Sequence, residues 1–285
     1  MTVDTASVLL RSLGFGAMFQ ALGAGLFVLQ FERDLQETSS RVRRLTFSSA
    51  VAALLLVCLH YVMEAGRLSG MWSGIFDLEL QELVWDSSVR TAWAERSLGF
   101  ILLVAASSKH GRAAMLLTVA GVVSVALSFA AVGHTSEPDG PRWLALLLMA
   151  HILVAGFWFG SLLPLLWITR YEDRQRTAAV VEAFSTRAVW LVPGLFVAGV
   201  ILTWNLVDRW STFLEPYGIL LLVKVTGFSI LMGLAALNRW RYGPALRRDA
   251  AFVQSFRRSV TAEFAIILVI LVMTAVLTSF YSPEP

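Results

Sequence analysis

Long apolar runs separated by short polar connections dominate the chain. Eight of them approach the roughly 20 residues that a helix needs to cross the hydrocarbon core of a bilayer. They cover 7–31, 45–66, 89–107, 113–133, 143–169, 184–207, 218–240 and 259–280. The runs are continuous rather than alternating, so they predict helices and not the strands of a barrel. A helix satisfies its own backbone groups, which lipid cannot do. The third run is the most polar, because Glu95 and Arg96 lie inside it. No polar stretch is long enough to form a separate soluble domain, and no repeat of fixed period is present. The pattern predicts an all-α integral membrane bundle of eight transmembrane helices. Residues 1–285 form a single polytopic domain, with the first three helices within 1–110.

The polar connections differ in charge from one side to the other. Between alternate pairs of runs lie Arg33, Arg41, Arg43, Arg44, Lys109, Arg112, Arg170, Arg174, Arg176, Arg187, Arg239, Arg241, Arg247, Arg248, Arg257 and Arg258, sixteen basic residues on one side. The other side holds four: Arg67, Arg90, Arg142 and Arg209. Basic residues stay on the cytoplasmic side. Both termini are therefore expected outside, which in a Gram-negative bacterium is the periplasm. The outer connections are acidic, with Asp77, Glu79, Glu82, Asp86, Glu137, Asp139, Asp208 and Glu215. Trp72, Trp85, Trp143, Trp210 and Tyr217 lie where an outer aromatic belt is expected.

Composition strengthens the membrane assignment. Apolar residues make up 57% and charged residues 15%, against about 25% charged in soluble domains. The net charge of +3 does not indicate nucleic acid, because the basic residues gather at the ends of apolar runs. Cys58 is the single cysteine, so no internal disulfide forms. The first run follows acidic Asp4 and is too long for the core of a signal peptide.

Three of the four histidines fall toward the outer side. His60 is near the outer end of the second run and His134 closes the fourth. His151 lies about eight residues into the fifth, about 12 Å below its outer end at 1.5 Å per residue. An imidazole at that depth needs a partner, either across a helix interface or in a functional site. Neutral imidazole is a ligand for copper, zinc and haem iron. His134 and His151, on adjacent antiparallel helices, are a candidate pair. His60, Met63 and Glu64 share one helix face, and imidazole with thioether or carboxylate suits copper. The alternative is that Met63 packs and Glu64 sits at the interface. His110 lies in the inner loop 107–112 and is expected to be solvated.

Charged groups within the runs either order the bundle or line a cation path. Lys224 and Glu95 have similar outer depth and are a candidate pair. Glu263 is expected to meet Arg239 or Asn238, near the inner end of the seventh run. Gly156 and Gly160 form a GxxxG pattern that permits close helix approach, and Pro164 follows them. The chain has no P-loop, Rossmann fingerprint, CxxC or HExxH pattern. It is therefore read neither as an enzyme nor as an ATP-driven pump.

Two segments carry a resemblance. His151-Ile-Leu-Val-Ala-Gly-Phe-Trp158-Phe-Gly160-Ser-Leu-Leu-Pro164-Leu resembles a helix of the bacterial copper resistance protein D (CopD) family, with Val154 where alanine is expected. Tyr217-Gly218-Ile-Leu-Leu-Leu-Val-Lys224, followed by Leu234-Ala-Ala-Leu-Asn238-Arg239, resembles another stretch of that family. Gly133-His134 and Glu263 match further positions. Thr203 departs, being followed by Trp204 where glycine is expected. The resemblance is strongest over 130–280. It implies an inner-membrane protein that handles copper together with a periplasmic copper-binding partner. Copper would first meet His134 and His151, with His60, Met63 and Glu64. Two other readings remain: a membrane electron-transfer protein with haem b on these histidines, and a membrane copper chaperone that does not transport.

Overall fold

The computed structural model describes residues 2–132, 142–205, 216–247, 249 and 251–280, without the side chains of 216 and 217. Every regular element among them is helical. The helices are α1 (Val3–Phe31), α2 (Ser39–Ser69), α3 (Leu78–Trp85), α4 (Ser88–Ser107), α5 (Gly111–Ala130), α6 (Arg142–Tyr171), α7 (Arg174–Trp204), α8 (Pro216–Leu237), α9 (Gly243–Ala245) and α10 (Ala251–Phe280). A π-helical turn, Asn238–Tyr242, joins α8 to α9. Short 3-10 turns follow α1 and precede α3. Of the outer residues named above, Glu137, Asp139, Asp208, Arg209, Trp210 and Glu215 lie outside the described residues.

Among the described residues, seven helices are long and apolar enough to cross a membrane. α4 is not among them. It has 20 residues, but Arg90, Glu95 and Arg96 interrupt its apolar surface. Several helices also begin earlier than the apolar runs predict: α2 at Ser39, α7 at Arg174 and α10 at Ala251. The hydrocarbon thickness sets the length of an apolar run, whereas caps set where a helix starts and stops. Asp173 caps α7 by accepting from the backbone N–H of Arg176 at 2.9 Å. Gly70, with φ +69°, ends α2 in the left-handed conformation that glycine adopts without strain. The short helix α3 was not anticipated. Asp77 caps it, accepting from Glu79 and Leu80.

α1 is the central helix. It packs on α2, α4 and α5 on one side and on α6 and α10 on the other. Small residues make this possible: Ala21, Gly23, Ala24 and Gly25 are all buried. At the α1–α6 crossing a Cβ on Gly23 would fall 2.5 Å from the Cα of Gly160. The GxxxG face of α6 thus meets α1, and without a hydrophobic drive between lipid-bathed helices such close contact supplies the attraction. Gln20 donates to the carbonyl of Gly160 at 2.9 Å within the same crossing. Gly99 and Gly121 bring α4 and α5 together in the same way.

The helix ends sort into two faces. At one, Arg11 of α1 reaches the carbonyl of Thr278 (2.8 Å) and the hydroxyl of Ser279 (3.0 Å) on α10. At the other, Glu172 after α6 accepts from the backbone N–H groups of Gln36, Glu37 and Thr38 and from the Thr38 hydroxyl. That carboxylate ties the α1–α2 connection to the end of α6.

Candidate functional site

His151 lies on α6 toward the end of the bundle that holds Arg11. Its ring is turned to α7: a Cβ on Gly199 would lie 3.4 Å from His151 Cε1. It is also close to the backbone of Leu195 and within electrostatic reach of Lys224 on α8. Nδ1 is buried and makes no hydrogen bond among the described residues. His134, its expected companion, lies outside the described residues.

His60 faces a different helix pair. Its Nδ1 is 3.5 Å from the Ser7 hydroxyl on α1, and its Nε2 is 3.9 Å from Glu64. Glu64 is held by Arg67 through two contacts of 2.9 and 3.0 Å. Arg11, Arg67 and Arg96 all act electrostatically on His60. Met63 packs in a small apolar cluster with Val3 and Ala6 of α1. The i, i+3, i+4 pattern therefore divides: His60 and Glu64 share a polar network, and Met63 packs.

Arg96 donates to the Ser128 hydroxyl at 2.9 Å and lies 4.7 Å above the Phe129 ring, a cation–π contact. Glu95 leaves Oε2 without a partner. Lys224 and Glu95 are not brought together: α4 packs on α5, α2 and α1, whereas α8 packs on α10 and the π-helical turn. Lys224 lies within electrostatic reach of His151 instead. Among the described residues no group of three or more His, Cys, Asp or Glu side chains is placed to hold a metal ion.

A third cluster lies deeper. Glu263 of α10 is 3% exposed. It accepts from Trp158 Nε1 of α6 at 3.1 Å and from Asn238 Nδ2 at 2.5 Å. Of the two partners expected for it, Asn238 is the one it takes. Arg239 instead donates to Ser185 on α7 at 3.4 Å. Trp158 was missed as a polar group, although it stands seven residues after His151 and so close to the same helix face. At the end opposite Arg11, His110 is exposed and its Nδ1 lies 3.3 Å from Glu32, which also pairs with Arg43.

Comparison with known proteins follows from these positions. Residues 1–144 match the family described as copper resistance protein D-like, N-terminal domain, and residues 178–277 match copper resistance protein D. The match thus includes the first 110 residues, where motifs alone showed only a common layout. Copper resistance protein D of Pseudomonas syringae pv. tomato is 26% identical over 99% of this chain and 98% of its own length. The inner membrane protein YebZ of Escherichia coli K12 is 25% identical over 92% of each chain. The copper transport protein CutJ of Bacillus subtilis 168 is 25% identical over 96% of this chain and 53% of its own length. No solved structure matches the chain.

Proposed function

The chain belongs to the copper resistance protein D family, and we propose that it carries copper inward across the bacterial inner membrane through an outer site centred on His151. It is a multi-pass protein of that membrane. The proposal takes α4 as an eighth span, its charges turned to α5 and the polar network around Arg11, with both termini periplasmic. Four observed features support an outer position for His151: the early position in α6, the acidic residues of α3, the sixteen-to-four distribution of basic residues and the link from Arg11 to α10.

The observation that carries the reading is the buried His151 ring, whose Nδ1 makes no hydrogen bond of good geometry among the described residues although the Leu195 backbone lies close. Buried polar atoms are nearly always satisfied, and a neutral imidazole nitrogen is a copper ligand. His134, one connection away in sequence, is the second ligand in this reading. His60 and Glu64 order the outer end through Ser7 and Arg67 rather than binding the ion, and Met63 packs. Lys224 near His151 repels a divalent ion more than a monovalent one, which favours Cu(I). Asp77, Glu79, Glu82 and Asp86 are exposed on and around α3 and offer an acidic surface to a periplasmic copper-binding partner.

The test compares wild type with His151→Ala in proteoliposomes, together with metal analysis and the absorption spectrum of the purified protein. Wild type should bind copper stoichiometrically without a haem absorption band. The variant should lose copper uptake at least about tenfold, about 1.4 kcal/mol. Equal uptake by both proteins would remove His151 from the path. A haem band in place of copper would favour the electron-transfer reading, and bound copper without uptake the chaperone.

A further inference from the structure

The Glu263 carboxylate has no counter-charge. Both of its donors, Trp158 Nε1 and Asn238 Nδ2, are neutral. Among the described residues no Lys, Arg or His forms an ion pair with it. The elements packed against α10 are α1, α6, α8 and the π-helical turn. α1 carries no charged residue between Arg11 and Glu32, and α6 carries none between His151 and Arg170. α8 carries Lys224, far up the helix and within electrostatic reach of His151. The π-helical turn carries Arg239, Arg241 and Tyr242, with Arg239 turned to Ser185. On α10 itself the other charged residues are Arg257 and Arg258, both before Glu263 and partly or fully exposed.

An ionised carboxylate this deep in a helical bundle costs several kcal/mol unless something neutralises it. The surroundings are built to supply a cation. Asn238 is 8% exposed and its Oδ1 has no partner. Ser259 is 7% exposed, lies one turn before Glu263 on the same face, and its hydroxyl also has no partner. An amide presents N–H to a carboxylate or, after rotation, its oxygen to a carboxylic acid. Asn238 therefore accommodates Glu263 with or without a proton. The π-helical turn begins at this residue. One such turn shifts the helical register, and these turns recur at functional sites. The donor set is all oxygen. Oxygen ligands suit hard cations, whereas copper, above all Cu(I), prefers imidazole and sulfur.

We propose that Glu263, Asn238 and Ser259 form a second site, separate from that of copper, which binds one hard monovalent cation, a proton or Na+, and that its occupancy is coupled to copper movement through α6. The coupling half rests on the transport reading above; the binding half does not. Trp158, bonded to Glu263, stands seven residues from His151 on α6, about 10 Å along the axis. A change of charge at Glu263 alters the Trp158 hydrogen bond and so bears on the helix that carries the copper ligand.

Two measurements test the two halves. The first is infrared spectroscopy of purified wild type, Glu263→Gln and Glu263→Asp in lipid nanodiscs, between about pH 5 and pH 9, in NaCl or KCl. A carboxylic-acid carbonyl band absent from Glu263→Gln is expected in wild type. If the ion is a proton alone, the band fades as pH rises, equally in both salts; if it is Na+, the band also fades on replacing KCl by NaCl. A wild-type spectrum identical to that of Glu263→Gln throughout, or a band unmoved by both pH and Na+, overturns the site. The second is copper uptake into proteoliposomes under imposed pH or Na+ gradients. Wild type and Glu263→Asp should change rate several-fold with one of the gradients, and Glu263→Gln should not. Uptake indifferent to both gradients in wild type overturns the coupling. A responsive infrared band in a protein that moves no copper overturns the transport reading and supports the cation site.

Discussion

A single side chain in this bundle is decided by what lies across the helix interface. Trp158 shows the effect most directly. Its ring packs in the core beside Phe228, while its N–H serves Glu263 on another helix. Trp158→Phe keeps most of the ring and removes the donor. Stability should fall by about 1–3 kcal/mol, the range for unpairing a buried acceptor, measured as the shift in a denaturation curve in mixed micelles. An unchanged curve would mean that the second donor, Asn238, satisfies the carboxylate alone. His60 illustrates the opposite case. By residue type it is as good a ligand as His151, but its ring meets the Ser7 hydroxyl and Glu64 and lies within electrostatic reach of Arg11, Arg67 and Arg96. The identity of the residue was legible in the sequence, and its electrostatic setting was not.

At the scale of elements, the α1–α6 crossing holds the two sides of the bundle together. Gly23 meets Gly160 backbone to backbone, and a methyl group there would contact Gly160 Cα at 2.5 Å and its nitrogen at 2.8 Å. Neither is the end of a flexible side chain, so the helices themselves must separate. Gly23→Ala should destabilise by about 1–3 kcal/mol. Gly16→Ala is the control on the same helix: nothing lies within 4 Å of its added carbon, and alanine is the better helix former by up to about 1 kcal/mol. Thermal unfolding of both variants in one detergent checks the contrast, and equal midpoints would refute the crossing as the source of stability. The GxxxG pattern in α6 was visible beforehand. Its partner on α1 was not, because Gly23 matches it only once the two helices are laid across each other.

For the whole molecule, orientation follows from charge. Basic residues crowd the end that holds Glu172, Arg43 and Arg247, and acidic α3 occupies the other. Alkaline phosphatase fused after Asp86 or after the last residue should be active, since that enzyme folds only outside the cytoplasm. Fusion at His110 should be inactive. The reverse pattern would invert the path proposed for copper. The same fusions test α4: if it does not cross, positions 86 and 110 will report the same side. Seven helices meet the demands of a span outright, and α4 needs its neighbours to cover Glu95 and Arg96. The Ser124 hydroxyl, which donates to the Glu95 backbone carbonyl at 2.8 Å, and the Ser128 hydroxyl, which accepts from Arg96, are such cover.

The chain by itself determined that this is a helical membrane protein with its basic residues gathered in alternate connections; of the eight runs expected to span, seven among the described residues are helices long and apolar enough to do so. Those properties are local: each segment must satisfy its own backbone in lipid, and each connection is sorted by its own charge. The tertiary structure alone decided that Lys224 comes within electrostatic reach of His151, that Glu263 takes Asn238 and Trp158 and not Arg239, and that Met63 packs with Val3 and Ala6 while His60 meets Ser7. These depend on how far each helix is rotated about its axis and which helix it touches. Contacts such as Gly23 on Gly160, and the shift of register at Asn238, set that rotation through residues distant in sequence.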